Sequence, residues 1–354
     1  MATMNITSKE ATWQRLTEVW QDPATASLPL QGKKYAIISD THMGDGGDAD
    51  DFWRNEQALL NALSYYHERD FALILLGDIE ELWQFDLNRI VGRYGKSVYA
   101  TYRKFAKDRV YRIFGNHDSE WGGLQDPTRT GARRQALADE GIKLGDDGGK
   151  VQILLVHGHQ GSVESDKYAR FSRFFVRIFR GIEPLARLTG LYGTGAAPKS
   201  PIAKDFERTL YSWAKKTKVI LICGHSHRAM FASKSYGETL LDKIAALEAA
   251  NSSQGIPAPT RQNNHRKIHQ LQLQFEDEKD KGRLIDPVET EREPVPCYFN
   301  SGCGLYSDGL TCIEIENDTI LLIKWSNFAT DPVGTSLRTI FDQKKLSDLM
   351  DQIL

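Results

Sequence analysis

The sequence predicts a layered α/β (α+β) protein, and three observations carry that expectation. Apolar, β-branched runs at 35–38, 72–76, 110–114, 151–156 and 219–223 have the length and composition of buried strands. Helical periodicity at 54–68 and 130–140 falls between such runs, which is the βαβ alternation of a protein whose helices stack on sheets. Near the carboxyl end, the segments 296–303, 309–315 and 319–325 read as sequential antiparallel strands joined by turns and should form a second sheet.

Residues 8–21 are the first expected element, an amphipathic helix with Trp13, Leu16 and Trp20 on one face, packed on the outside of the domain. A Pro-containing linker completes an N-terminal segment, 1–32. The main domain spans 33–325, is interrupted by insertions at 160–215 and 235–294, and is followed by a tail and helix at 326–354. The first insertion sets Tyr168, Phe171, Phe174, Phe175, Ile178 and Phe179 on one helical stripe, with Lys167, Arg170, Arg173, Arg177 and Arg180 along its edges. A helical lid that lies at a membrane surface or clasps an amphiphile has this character, and so does a hairpin packed on the core with a solvated basic edge. The second insertion begins helically around 240–249, becomes Asn/Ser/Pro-rich and then highly charged, and is expected to be polar and partly mobile, with no chemistry of its own.

A chain of 354 residues with 40% hydrophobic content can bury a large core. Its 45 Lys plus Arg against 47 Asp plus Glu leave no global field to recruit nucleic acid or membrane. The four cysteines, Cys223, Cys297, Cys303 and Cys312, are dispersed without zinc-binding spacing, which points to a reducing compartment without disulfides. The first residues lack the basic and apolar segments of a secretory signal, and no apolar run reaches bilayer length. The expected location is cytoplasmic, with peripheral membrane or lipid contact through 160–215 as a companion expectation.

Six of the nine histidines stand in short motifs directly after the predicted strands: Asp40-x-His42, Gly115-Asn116-His117-Asp118, His157-Gly158-His159 and Gly224-His225-Ser226-His227. Gly77-Asp78 is a fifth motif in the same setting. Two divalent cations held close together need a carboxylate able to bridge them, with imidazole, carboxamide and further carboxylate ligands completing each shell. Asp78 is the natural bridge, and Asn116 offers a neutral oxygen. Two-residue alternation puts Asp40 and His42 on one face, and does the same for His225 and His227. Of His157 and His159, the former is favoured as a ligand because it comes directly off its strand, leaving His159 either to support the ligands from behind or to touch substrate. Asp45, Asp48, Asp50 and Asp51 could bind a cation but read more simply as a solvated loop, and His67, His265 and His269 as surface residues.

In this order the motifs resemble the calcineurin-like metallophosphoesterase superfamily: Asp-x-His, Gly-Asp, Gly-Asn-His-Asp or -Glu, a lone His, then Gly-His-x-His. The resemblance spans roughly 33–325 and implies a four-layer double β-sandwich flanked by helices, with metals at the carboxyl ends of strands. It implies one ion on Asp40, His42, Asp78 and His227 and a second on Asp78, Asn116, His157 and His225. Manganese is the expected metal, and iron or zinc suits the same ligands. The resemblance further implies a hydrolase in which a hydroxide bridging the ions attacks phosphorus, His117 protonates the leaving oxygen, and Asp118 holds His117.

The stretch from Gly77 to Trp83 departs from the Asp-x-x-Asp-Arg-Gly continuation of protein phosphatases. It is similar to the Gly-Asp-x-x-Glu-x-Trp of the UDP-2,3-diacylglucosamine pyrophosphohydrolases, which also carry a helical lid between the fourth and fifth motifs. Two positions differ: His117 stands where that family has Arg, and His159 where it has Asp. The expected substrate is an amphiphilic or small phosphoester or pyrophosphate, contacted by His159, Arg173 and Arg177. A phosphodiesterase or nuclease acting on nucleotides or nucleic acid is the alternative, a nuclease being disfavoured by the near-neutral charge, and a non-catalytic interaction scaffold is a further alternative, disfavoured by the complete set of ligands.

Overall fold

The computed structural model describes residues 8–106, 108–119, 138–146, 148, 151–160, 201–253, 255–280, 283, 293–327 and 337–354. Among them the strands are β1 (Ala26–Pro29), β2 (Tyr35–Ile38), β3 (Ala72–Leu76), β4 (Val110–Ile113), β5 (Ala138–Asp139), β6 (Gly141–Gly145) and β7 (Gln152–Val156). They continue with β8 (Ile220–Cys223), β9 (Met230–Phe231), β10 (Lys234–Ser235), β11 (Tyr298–Asn300), β12 (Gly309–Glu316), β13 (Thr319–Ser326) and β14 (Arg338–Lys345). Two mixed sheets result, one ordered β14-β13-β12-β2-β3-β4-β5 and the other β1-β6-β7-β8-β11-β9-β10. β2, β3 and β4 are mutually parallel in the first sheet, and β7, β8 and β11 in the second.

Alternation along β2 shows why there are two cores. Tyr35 and Ile37 join Ile153, Leu155, Ile220 and Ile222 of the opposite sheet in one apolar cluster. Ala36 and Ile38 face the other way, onto Ala58, Leu59, Ala62 and Leu63 of the helix Glu56–Glu68. The helices Leu87–Tyr94 and Val98–Tyr102 bury Ile90, Tyr94, Val98, Tyr99 and Tyr102 in that outer cluster. Beyond the second sheet, the helices Ser8–Gln21 and Pro201–Thr217 contribute Leu16, Val19, Leu210, Tyr211, Trp213 and Ala214 to the larger cluster. Trp213 Nε1 donates to Thr17 Oγ1 at 3.0 Å, tying those two helices together. The layers are therefore helix, sheet, sheet, helix.

Several sequence expectations change here. The segment near 298 is not the first of three antiparallel strands: β11 runs parallel to β8 in one sheet, while β12 and β13 form a hairpin in the other. The chain crosses between the sheets at Gly302, whose φ of 77° suits glycine. Of the helix expected at 130–140, Ala138 and Asp139 are strand β5, paired with β4, and 130–137 lie outside the described residues. The helix Pro201–Thr217, drawn into the first insertion, belongs to the sandwich because its apolar face is core. The expected tail after 325 is also structural: β14 pairs with β13, Arg338 Nε donates to Glu314 Oε1 at 2.9 Å, and the helix Leu346–Ile353 buries Leu346, Leu349, Met350 and Ile353. The polar stretch of the second insertion folds as a helix, Ala258–Asp280, packed beside the helix Tyr236–Ser252. Packing along one seam with solvated faces elsewhere supports a helix of such low apolar content. Asp50, read as part of a solvated loop, is buried and accepts from the Gly46 and Phe52 amides and from Tyr94 Oη at 2.8, 3.1 and 2.6 Å.

Leu75 points from β3 into the outer helical core and is fully buried. Its truncation to Ala is expected to destabilise the protein by about 2–5 kcal/mol, the range for a buried leucine that leaves a cavity. Equilibrium denaturant unfolding of Leu75→Ala measures this, and a change under about 1 kcal/mol would contradict the assigned packing.

Candidate metal centre

The five motifs follow β2, β3, β4, β7 and β8, so three come from one sheet and two from the other, and all stand at carboxyl ends. Backbone strain concentrates there. Asp40, His42, Asp78, His225 and His227 have φ of 50°, 47°, 50°, 68° and 58°, a left-handed conformation that costs a non-glycine residue of order 1–3 kcal/mol. Loop-to-loop hydrogen bonds hold it: Asp40 N–H to Gly77 O at 3.1 Å, His42 N–H to Asp78 O at 2.9 Å, and Gly224 N–H to His157 O at 2.9 Å. Two glycines permit the close approach of the acids. A Cβ at Gly115 would collide with the Asp78 carboxylate, and one at Gly224 with that of Asp40.

Two clusters of donor atoms, Asp40, His42 and His227 and Asp78, His157 and His225, meet in this space, and a third, His42, Glu81 and His117, adjoins the first through His42, the ligand atoms of each lying within 4.8 Å of one another. His42 Nε2 and His227 Nε2 face each other at 3.2 Å, and His227 Nε2 is 3.3 Å from Asp40 Oδ1. Asp78 Oδ2 is 3.0 Å from His157 Nε2 and 3.8 Å from His42 Nε2, so one carboxylate oxygen stands within reach of both clusters. The donor set fits a pair of divalent ions. His157 Nδ1 donates to Leu76 O at 2.8 Å and His42 Nδ1 lies 3.0 Å from Glu81 Oε2, so in each neutral ring the other nitrogen is a bare lone pair turned inward. Asn116 Oδ1 is buried with no hydrogen-bond partner among the described residues, as an oxygen ligand awaiting a cation would be.

Electrostatics point the same way. Burial opposes the imidazolium of His42, but Glu81, Asp78 and Asp40 outweigh it and push its pKa up to about 9. His157 is likewise penalised by burial yet pushed up to about 10 by Asp78 and Asp40. Against burial, His157 and further histidines hold the Asp40 and Asp78 carboxyls below the usual carboxylate range. His225 is pulled down to about 3, first by burial and then by its neighbour His157. The pocket thus attracts positive charge strongly enough to hold protons where metal would go.

His117 stands at the edge of this pocket. Its Nδ1 lies 2.7 Å from Glu81 Oε2, the same oxygen that meets His42, and Trp83 stacks flat on its ring at a centroid distance of 3.9 Å. Glu81, buried but placed between two imidazoles, is lowered to about 2. The expectation that Asp118 holds His117 is corrected: Asp118 accepts instead from the Gly115 and Ile79 amides at 2.6 and 2.9 Å and braces the loops. Backbone donors converging on a fully buried carboxylate leave it facing away from the ring. His159 packs against His157 and Phe114 at 5.4 and 5.9 Å, and burial, His157 and His225 hold its pKa well below the usual value. Arg173 and Arg177 lie outside the described residues. His265 and His269 are exposed, while His67 is half-buried against Phe105.

Sequence reasoning gave no role to Glu81 or Trp83, although both were visible in the Gly-Asp-x-x-Glu-x-Trp pattern. It also passed over Gln160, buried beside His159, whose Oε1 accepts from the Gly158 amide at 3.0 Å while Nε2 has no partner among the described residues.

The sequence profile described as calcineurin-like phosphoesterase matches residues 33–229, a span that holds all five motifs. A comparison with curated proteins finds no match.

Because His42 and His157 carry protons below about 9 and 10, loading metal must expel them. Apparent affinity for Mn²⁺ or Zn²⁺ is therefore expected to rise as pH increases from 6 towards 9, with protons released on binding. Metal titration in weakly buffered solution measures both quantities; an affinity flat across that range would contradict the charge assignment.

Proposed function

The chain belongs to the calcineurin-like phosphoesterase family, and from that premise we propose that His117 protonates the leaving oxygen of a phosphoester bound over Asp78. It is a metal-dependent phosphoesterase, with Asp/His clusters that could hold the metals. Asp40, His42, Asp78 and His227 would hold one ion, and Asp78, Asn116, His157 and His225 the other. Such ions, when bound, neutralise phosphoryl charge and lower the pKa of water to give a nucleophile at neutral pH. Manganese is proposed, with iron or zinc compatible with the same ligands.

The observation that supports this reading best is the shared Glu81 oxygen, 3.0 Å from His42 Nδ1 and 2.7 Å from His117 Nδ1. One carboxylate orients a metal ligand and, with Trp83 across the ring face, the proposed proton donor. His117 Nδ1 turned to Glu81 leaves Nε2 as the atom that gives its proton to the leaving oxygen. Asp118 fixes the Gly115 and Ile79 amides and so the loops that bear Asn116 and Asp78.

For substrate, we infer an amphiphilic or small phosphoester or pyrophosphate. The aromatic and basic pattern of 160–215, with Arg173 and Arg177 as contacts for an anionic head, supports an amphiphile, as does the likeness of Gly77 to Trp83 to the lipid-processing pyrophosphohydrolases. Phe206, on the sandwich helix Pro201–Thr217, adds to this support, because its ring stands edge-on at 5.9 Å from that of His225 and brings an apolar surface to the site. His159 is proposed as a further substrate contact. No helix among the described residues is long and apolar enough to cross a membrane.

Two variants test this. Asp78→Ala is expected to lose turnover of an aryl phosphate and to bind fewer than two ions by elemental analysis; wild-type activity in it would sink the dinuclear reading. His117→Ala should keep its metals while losing about 10²–10⁴-fold in kcat on an alkyl phosphate, whose leaving oxygen needs a proton, and far less on a nitrophenyl phosphate. Equal losses on both substrates would remove His117 from the acid role.

A further inference from the structure

The donor group of His42, Glu81 and His117 adjoins the proposed metal pair without being used by it as a whole. His42 belongs to two groups at once. Its Nε2 faces His227 Nε2 at 3.2 Å and Asp40 Oδ1 at 3.9 Å, while its Nδ1, on the other edge of the ring, faces Glu81 Oε2 at 3.0 Å. The same Glu81 oxygen is 2.7 Å from His117 Nδ1. Two imidazole nitrogens and one carboxylate oxygen therefore converge beside the place of the first ion.

His117 Nδ1 is a buried atom and, close as it lies to Glu81, makes no aligned hydrogen bond. Asn116 Oδ1 and His157 Nε2, both assigned to an ion, share that condition. Buried donor atoms that crowd together without bonding to one another are arranged for a cation between them. Tetrahedral zinc ligands stand about 3.3 Å apart, so the pairs at 2.7 and 3.0 Å need only a slight opening. Two imidazoles, a carboxylate and one open position form a donor set that zinc takes readily, whereas manganese favours more oxygen. The His117 side chain is 23% exposed, so an ion with its water can enter from solvent. Trp83 fixes both outer donors: its ring stacks on His117 at 3.9 Å, and its backbone N–H donates to Glu81 Oε1 at 3.2 Å, which leaves Oε2 to the two imidazoles.

A neutral imidazole has a single lone pair. With Nε2 on the first ion, His42 carries its proton on Nδ1 and donates it to Glu81. With an ion on Nδ1 instead, the Nδ1 proton goes to solvent, Nε2 takes one up, and Asp40 and His227 lose their partner ligand. His42 therefore serves one position at a time.

We propose that His42 Nδ1, Glu81 Oε2 and His117 Nδ1 form an alternative position for a zinc ion, one that draws His42 away from the proposed pair and leaves that pair incomplete. Zinc in excess then holds the centre in an inactive arrangement, with metal also on the ring of the proton donor. The site itself rests on these three side chains alone; only its inhibitory consequence rests on the dinuclear reading above.

The test follows Zn²⁺ binding to the metal-free full chain labelled with ¹⁵N at histidine. Neither ion of the proposed pair touches His117, so metal on that ring marks the alternative position. The His117 Nδ1 resonance should move into the range of metal-bound imidazole as Zn²⁺ is added in excess, and Glu81→Gln should weaken this event by about tenfold or more. A second measurement counts ions by equilibrium dialysis. Asp40→Asn combined with His227→Ala removes two ligands of the first ion and none of the alternative position, so that chain should still hold two zinc ions, one of them on the second cluster. Adding His117→Ala should cut the count to one. A His117 Nδ1 that stays put in excess zinc, or an equal count with and without His117, would overturn the proposal. If a variant fails to melt cooperatively, the wild-type titration decides alone. Neither measurement needs turnover, so failure of the phosphoesterase reading and failure of this site are separate outcomes.

Discussion

Two carboxylates buried side by side, Asp40 and Asp78, set the terms for the rest of this structure. Each would cost several kcal/mol to hold ionised in the interior without compensation. The compensation is local and dense. Asp40 accepts from the His225 amide at 3.0 and 3.1 Å, Asp78 accepts from the His117 amide at 2.8 Å, and the rings of His42, His157 and His227 crowd around both. Bringing these groups together requires five strand ends from two sheets to arrive at one level. It also requires glycine at 115 and 224, where any side chain would displace an acid.

A second tier of buried carboxylates surrounds that centre and fixes its walls. Glu81 holds His42 and His117 together. Glu80 receives both Arg112 terminal nitrogens at 2.8 Å and the Tyr99 hydroxyl at 2.8 Å, and so pins the loop after β3 to the outer helices. Glu207, on the helix Pro201–Thr217, accepts from Ser226 Oγ at 2.6 Å and pairs with Arg228, which ties the loop bearing His225 and His227 to the opposite helical layer. Buried ion pairs of this kind are weak evidence for net stability, because desolvation offsets most of their attraction. They orient. The helices of the outer layers therefore transmit their position to the metal ligands through hydrogen-bonded acids.

The insertions extend this design outward. The hairpin of the helices Tyr236–Ser252 and Ala258–Asp280 begins with a capping box at Ser235 and Glu238, directly after edge strand β10. Its far end returns Glu278 and Arg283 to Asp308 and Lys324 of the sandwich. A segment of polar composition thereby becomes part of the wall next to His227.

What the sequence determined by itself was the set of strands and the chemistry at their ends. Runs such as 72–76 and 219–223 are apolar throughout because they are covered on both faces, and that pattern is local. The motif residues could likewise be read in order, since each ligand sits within one to four residues of its strand end. What only the tertiary structure decided was pairing across distance. Whether Asp118 or Glu81 meets His117 depends on where the loop after β3 lies against the loop after β4, and both acids were equally available in the sequence. Whether the segment near 298 joins β8 or β12 depends on a crossover between sheets, which alternation along a strand does not encode. The helix Ala258–Asp280 and the ion pairs of Arg283 and Lys324 with Asp308 belong to the same class. Their residues are polar, their partners lie on distant strands, and burial arises only when the chain brings opposite charges together.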